Sequence, residues 1–387
     1  MNELEKKFNE RVGRFIATTN LTEPDKVPVL GLYQTWVYGY SKTKIKDIID
    51  DFEKEFSAYA KVMTDFEFDG VFATGSQRAI NFYDALGSDS FFVSEDGYTL
   101  QHQETVMMPD PEDYPKLIND PLEFTFNKLF PERYPNLRGE EDAIKGSLKK
   151  SIASLNEFVG NMIKSGEIAK EQFGLPSVNG GMGISAVDIL FDFYRGFKGI
   201  SLDIRRRPEM VLETADRFAD ILIDTFASNV HCKGGFPFIF VPIHLPGFLS
   251  PKQFETIYWP SFKKIFFPLM EQGFKFEFYM ETAASHLYEF INEFPKGKSI
   301  ILLEKDDLKS AKEKIGSNVT IAGGLSTRLL KYGTKQECID QTKMVIDSCA
   351  PGGGFILTTD NILIAPDDVN PENFKAALNC AHEYGIY

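Results

Sequence analysis

Phe238-Ile239-Phe240-Val241-Pro242-Ile243 is a run of apolar residues that stops at His244. Nothing in it alternates between apolar and polar, so both faces of such a strand are covered, as in a parallel sheet flanked by helices. The pattern returns at Phe276-Glu277-Phe278-Tyr279-Met280, Ile300-Ile301-Leu302-Leu303, Val319-Thr320-Ile321-Ala322 and Phe355-Ile356-Leu357. Amphipathic stretches of helical length separate these runs. Ser250 to Gln272 opens with a Ser-Pro pair suited to an N-cap and first helical position, and it stops before Gly273. The result is a β/α rhythm.

Toward the N-terminus, strands are predicted at Val27 to Leu32, Gly70 to Ala73 and Met182 to Leu190, and helices at Lys44 to Met63, Lys145 to Glu167 and Pro208 to Ser228. The charged amphipathic start Asn2-Glu3-Leu4-Glu5 begins an N-terminal helical extension. Ser88 to Arg138 reads as a hairpin-bearing insertion: Phe91-Phe92-Val93, a Glu95-Asp96-Gly97 turn, then Tyr98 to Met107. Eight strand candidates in this order favour an α/β fold, a (β/α)8 TIM barrel spanning 1–387 as a single domain, over a doubly wound two-domain sheet. No internal repeat, low-complexity tract or flexible linker marks a boundary.

The 387 residues are 43% hydrophobic and carry a formal charge of -14. No basic run exceeds Arg205-Arg206-Arg207, which argues against a nucleic-acid or anionic-membrane partner. No stretch reaches the roughly 18 apolar residues of a membrane span, and the start lacks an apolar signal region, so a cytoplasmic location is expected. Four cysteines without CxxC spacing read as reduced, buried thiols. The 35 phenylalanines imply an aromatic interior, with a pocket for a planar ligand as the alternative. Nucleotide-binding glycine motifs and a GxSxG elbow are absent, and Gly180-Gly181-Met182-Gly183 reads as a loop.

In a barrel, chemistry sits where strands end and βα loops converge. His244 ends one run, and Tyr279 and Glu281, two apart, share one side of the next. Glu304, Gly323-Gly324 and Asp360-Asn361 terminate the following three. Each has a plainer reading: Glu304 adjoins Lys305 as an ion pair, and Asp360-Asn361 suits a turn cap. His231 and Cys232 are neighbours whose side chains face opposite ways in a strand, which argues against a shared ligand set. His102, His286 and His382 read as surface residues.

Several motifs carry a family resemblance. They are Pro24-Asp25-Lys26-Val27-Pro28-Val29; Glu112-Asp113-Tyr114 with Asn119-Asp120-Pro121; the Arg195-Gly196, Asp203, Pro208 spacing; and Gly247-Phe248-Leu249-Ser250 with Tyr258-Trp259-Pro260. With the closing Gly352-Gly353-Gly354-Phe355-Ile356-Leu357 and Asn370-Pro371-Glu372-Asn373, the most specific part, they resemble the uroporphyrinogen decarboxylase superfamily, in particular its corrinoid-dependent methyltransferase branch. The resemblance runs over most of the chain.

The decarboxylase clamps its tetrapyrrole carboxylates with an arginine motif after the first strand. Here Gly31-Leu32-Tyr33-Gln34-Thr35-Trp36-Val37 holds no arginine or lysine, which makes that lyase activity the alternative. Methyltransferases of the superfamily commonly hold zinc through a His-x-Cys pair and a later Cys. Tyr279-Met280-Glu281 replaces the pair and Thr358 to Asp368 has no cysteine, so a thiol acceptor is disfavoured.

The resemblance then implies a demethylating methyltransferase. It would move a methyl from a small methoxylated or methylamine-like donor to a corrinoid (cobalamin) on a partner protein. Glu281, Tyr279 and His244 are its expected catalytic groups, and His244 with Glu281 the expected ligands if zinc is bound. Glu304, Gly323, Gly324, Asp360 and Asn361 are expected to bind substrate. A non-catalytic, carrier-docking barrel is the reading from another class.

Overall fold

A computed structural model describes residues 2–76, 78–88, 90–103 and 106–387. Its strands are β1 (Leu30–Gly31), β2 (Gly70–Val71), β3 (Phe91–Val93), β4 (Leu100–His102), β5 (Asn179–Met182), β6 (Phe238–Ile243), β7 (Phe276–Met280), β8 (Ser299–Leu303), β9 (Thr320–Leu325) and β10 (Phe355–Thr359). Strands β5 to β10 form one parallel sheet in chain order, and β1 pairs parallel with β2. Parallel bridges Val29–Leu357 and Val71–Ser177 join that pair to β10 and to the approach of β5. The joints are carried by Leu357 N–H to the Pro28 carbonyl at 3.0 Å and Val178 N–H to the Val71 carbonyl at 2.9 Å. Eight parallel strands thereby close into the expected barrel, and β3 and β4 form an antiparallel hairpin outside it.

Strand parity sets what lies inside. On β7, Phe276 and Phe278 turn to the helix Trp259–Glu271, with ring centroids 5.0 Å and 5.1 Å from Phe266 and Phe262. Glu277 and Tyr279 must then face the interior. There Phe240 meets Phe72 at 4.7 Å and Tyr279 at 6.1 Å.

The N-terminal extension is the helix Glu3–Thr19, and it plugs the floor. Its Phe15 packs 6.4 Å from Phe238, and a Cβ on Gly70 would lie 2.7 Å from the Phe15 ring. Buried Arg14 ties the plug to Asp69, just before β2, and to Asp25 at 2.8 Å. Asp69 also accepts the Val29 N–H at 2.9 Å.

The five apolar runs are all strands, and Ser250 caps its helix through a full capping box with Gln253. Met182 to Leu190 is not a strand. The strand is Asn179–Met182, so the glycine cluster is β5 rather than a loop, and Ala186–Ile189 is helical. Glycines fit there because a Cβ on Gly180 would meet Cys232 Sγ at 2.8 Å and one on Gly183 the Phe226 ring at 1.9 Å. Apolar Ala186, Val187 and Leu190 are buried by a helix, and so short a run does not reveal its period.

Lys44 to Met63 is also not one helix: a 3-10 turn at Ile45–Asp47 precedes Phe52–Asp65, which Asp51 caps at 3.0 Å. In the insertion the second strand ends at His102, and Glu104 and Thr105 of its predicted span lie outside the described residues. No described helix is long and apolar enough to cross a membrane.

Candidate active site at the barrel mouth

Ile243 and Met280 are partners in the β6–β7 register, so the residues that follow them, His244 and Glu281, emerge side by side. His244 Nε2 lies 3.2 Å from Glu281 Oε1, and Nδ1 lies 2.8 Å from Asp192 Oδ2. With a carboxylate on each side, both ring nitrogens donate and the ring is an imidazolium. Partial burial opposes the charge, but the bonds to Asp192 and Glu281 outweigh it and raise the pKa to about 11.

One helical turn before Asp192, Asp188 is fully buried. Its Oδ1 accepts the Leu245 N–H at 2.9 Å, and its Oδ2 accepts the Ser185 and Tyr258 hydroxyls at 2.9 Å and 2.7 Å. Burial pushes its carboxyl up to about 6. Asp188 thus clamps the backbone next to His244 onto the helix that presents Asp192.

Inside the barrel, the Tyr279 hydroxyl donates to Glu304 Oε2 at 3.0 Å, and burial raises it above the usual phenol range. Glu304 also pairs with Lys305, as its position beside that residue suggested.

Gly323 and Gly324 have φ of +135° and +112°, and a Cβ on Gly324 would strike Val345 Cγ1 at 2.6 Å. Asp360 Oδ1 accepts the Thr327 N–H at 2.9 Å and the Asn361 amide at 3.0 Å. The loop after β10 is thereby tied to the start of the helix after β9, and the two glycines belong to β9 itself. His231, His286 and His382 lie within hydrogen-bond distance of the Gly180, Leu249 and Glu67 carbonyls, and the four cysteines are buried thiols.

Sequence reasoning missed Asp188 and Asp192. A signal existed: Ser185-Ala186-Val187-Asp188 has the Ser-x-x-Asp form of a helix start, and Asp192 follows Asp188 by one turn on the same face. Reading the segment as a strand concealed it.

Arg78, on the loop after β2, was missed as well. Its Nη2 donates to Gln34 Oε1 at 3.4 Å, its Nε is sealed from solvent without an acceptor among the described residues, and burial lowers its pKa. The first-strand loop that lacks a basic residue therefore receives a cation from its neighbour. Between the hairpin insertion and the segment 184–194 lies an open recess of about 280 Å³ that Arg78 does not line. Tyr83, Phe130, Tyr134 and Phe193 wall it, and His102 and Ser90 are polar groups on its lining.

His244 and Glu281 supply two ligands, fewer than the three protein ligands of a catalytic zinc. Among the described residues no three His, Cys, Asp or Glu side chains form a metal-holding group.

Fold and site together define a (β/α)8 barrel with a histidine–carboxylate array at its C-terminal mouth. Residues 148–384 match the family model Uroporphyrinogen decarboxylase (URO-D), more than half of the chain, and the protein belongs to that family. A solved structure named "methyltransferase from Methanosarcina mazei" is similar with a TM-score of 0.60 at 14% identity, over 96% of this chain and 98% of that one. That likeness concerns the fold. No curated protein matches the chain.

Proposed function

We propose that the protein is a demethylating methyltransferase, taking a methyl group from a small methoxylated donor and delivering it to a corrinoid carried by a partner protein. The observation that carries this reading is the imidazolium of His244, held at the mouth by Asp192 and Glu281. An ether oxygen leaves with the electron pair of its methyl bond, and a held proton donor stabilises it as that charge develops. A methoxylated donor uses this proton better than a methylamine-like one.

The corrinoid supplies the nucleophilic electron pair that accepts the methyl. The carbon–oxygen bond breaks, the pair stays on oxygen, and the His244 Nε2 proton moves to it. Arrival of the donor oxygen displaces Glu281 from Nε2, which removes one of the contacts raising the His244 pKa and brings the acid closer to a phenol leaving group of about 10. Asp192 keeps the ring oriented through Nδ1 until it regains a proton from water. Tyr279, committed to Glu304, lines the interior and positions the donor.

The rim supports a docked partner. Phe197 and Phe248 are 48% and 56% exposed, their centroids 5.0 Å apart. Phe191 links them to His244, 6.3 Å from its ring. Exposed paired aromatics beside a mouth suit a protein contact.

The test mixes the purified chain with reduced cobalamin and panels of methoxyarenes and methylamines, following methylation by absorbance. We expect methoxyarene turnover that falls about 10²–10⁴-fold in His244→Gln and also drops in Glu281→Gln. No methylation with any donor, with porphyrinogen decarboxylation instead, overturns the reading.

A further inference from the structure

The helix Glu141–Phe173 is the longest of the described elements, 33 residues or about 50 Å, and its sides are reversed from those of a helix that only covers a barrel. The residues it fully buries are small: Ser151, Ser165 and Ala169. Its large aliphatic residues stand in water, with Leu148 42%, Ile152 57%, Leu155 39%, Val159 44% and Ile163 59% exposed. They follow one another at steps of four, three, four and four residues, close to the alternation of a coiled-coil seam, so they form one continuous stripe on the outer side. Half-exposed side chains of this size present on the order of 400 Å² of apolar surface, as much as the largest patch of an ordinary monomer and enough to mark an interaction site.

The charges at the two ends of the stripe identify what covers it. Continued at about 100° per residue, the stripe takes in Glu141 and Lys145 at the N-terminal end and Lys170 at the C-terminal end, with Glu167 on its edge. All four are exposed, and Glu141 pairs with Lys145 at the surface. The order is self-complementary. A two-fold axis between Leu155 and Asn156 sets Leu148 against Ile163 of a second copy, Ile152 against Val159, Glu141 against Lys170, and Lys145 within one residue of Glu167. Each of these contacts then occurs twice. A parallel pair would instead set every one of the four charges against its own like, which is destabilising. With its polar flanks, a helical pair of this length reaches the roughly 800 Å² per partner of a standard interface.

We infer that the protein self-associates as a two-fold dimer through an antiparallel pair of Glu141–Phe173 helices, with the stripe from Leu148 to Ile163 as the seam. The inference is independent of the proposed function, because neither His244 nor Glu281 belongs to this helix.

The experiment is sedimentation equilibrium of the full chain over a concentration series, and we expect twice the mass of the chain. Leu155→Glu brings two carboxylates together beside the axis and should weaken the dimer by about 100-fold or more. Leu155 is exposed in the single chain, so the far-ultraviolet circular dichroism of this variant should match that of the unmodified protein. Lys145→Glu should raise the dissociation constant about 3–30-fold, since two surface pairs are lost and two repulsions appear. Adding Glu167→Lys to the same chain should restore it, because the exchanged charges meet again across the axis.

Cross-linking reads the orientation. The four native cysteines are buried. Under mild oxidation Leu155→Cys should link two chains and Leu148→Cys should not, because the two copies of the latter position lie about 22 Å apart along an antiparallel pair. A monomer at every concentration, a dimer unaffected by Leu155→Glu, or cross-linking as ready in Leu148→Cys as in Leu155→Cys each overturns the inference. The first of these would leave the stripe to a protein other than this chain.

Discussion

The two sides of the barrel are built differently. From β6 to β10 each strand is five or six residues long and nearly all of its side chains are buried. Strands β1 and β2 are two residues each. The long-strand side closes by apolar packing: Phe262, Phe266, Phe276 and Phe278 form one aromatic layer against the sheet. The short-strand side is held by polar ties, with Arg14 and Val29 on Asp69, the Thr358 hydroxyl on the Leu30 carbonyl and the Thr35 hydroxyl on the Ile364 carbonyl.

This difference follows the division of labour. The packed side lies within the residues that match the family and carries His244, Glu281 and Asp192. The tied side lies outside the match and carries Arg78, Gln34 and the hairpin of the recess. In the proposed function the proton chemistry rests on the regular strands.

The contrast can be broken most directly at its polar ties. Asp69→Ala leaves Arg14 buried without its inner partner, and we expect a loss of about 3–5 kcal/mol in urea unfolding. A loss below about 1 kcal/mol would mean that the short strands do not depend on that tie.

On the packed side, removing a charge should do the reverse. Glu277 is fully buried with no hydrogen-bond partner for either oxygen among the described residues, and burial pushes its carboxyl up to about 8 from an ordinary 4.5. A folded-state pKa raised above the unfolded one gives stability that is complete below the unfolded value and is lost as pH climbs through the folded value. Glu277→Gln should therefore gain several degrees in melting temperature over the unmodified protein at pH 9 relative to pH 5. An unchanged difference between the two pH values would show that the carboxyl is solvated or paired.

The smallest effect tests the junction between the sides. Ser185→Ala removes the cap that accepts the Asp188 N–H at 3.1 Å, at a cost of about 1 kcal/mol, and loosens the helix that carries Asp192. Turnover in the methylation assay should fall, and unchanged turnover would show that the cap does not position Asp192.

Composition and apolar period alone determined the five C-terminal strands, the barrel, and the nomination of His244, Glu281 and Tyr279, because a buried parallel strand writes its cover directly into consecutive residues. Local pattern was insufficient for β5, where glycines form the strand and the apolar run beside it is a helix. It could not place Asp192 on His244, separated by 52 residues, or Arg78 beside Gln34, separated by 44. Those partnerships arise only when the barrel closes and its loops converge. The geometry that sets His244 between two carboxylates and Arg78 beside Gln34 is therefore tertiary: it depends on which groups the closed fold brings within a few ångströms of each other and on how much water it leaves between them.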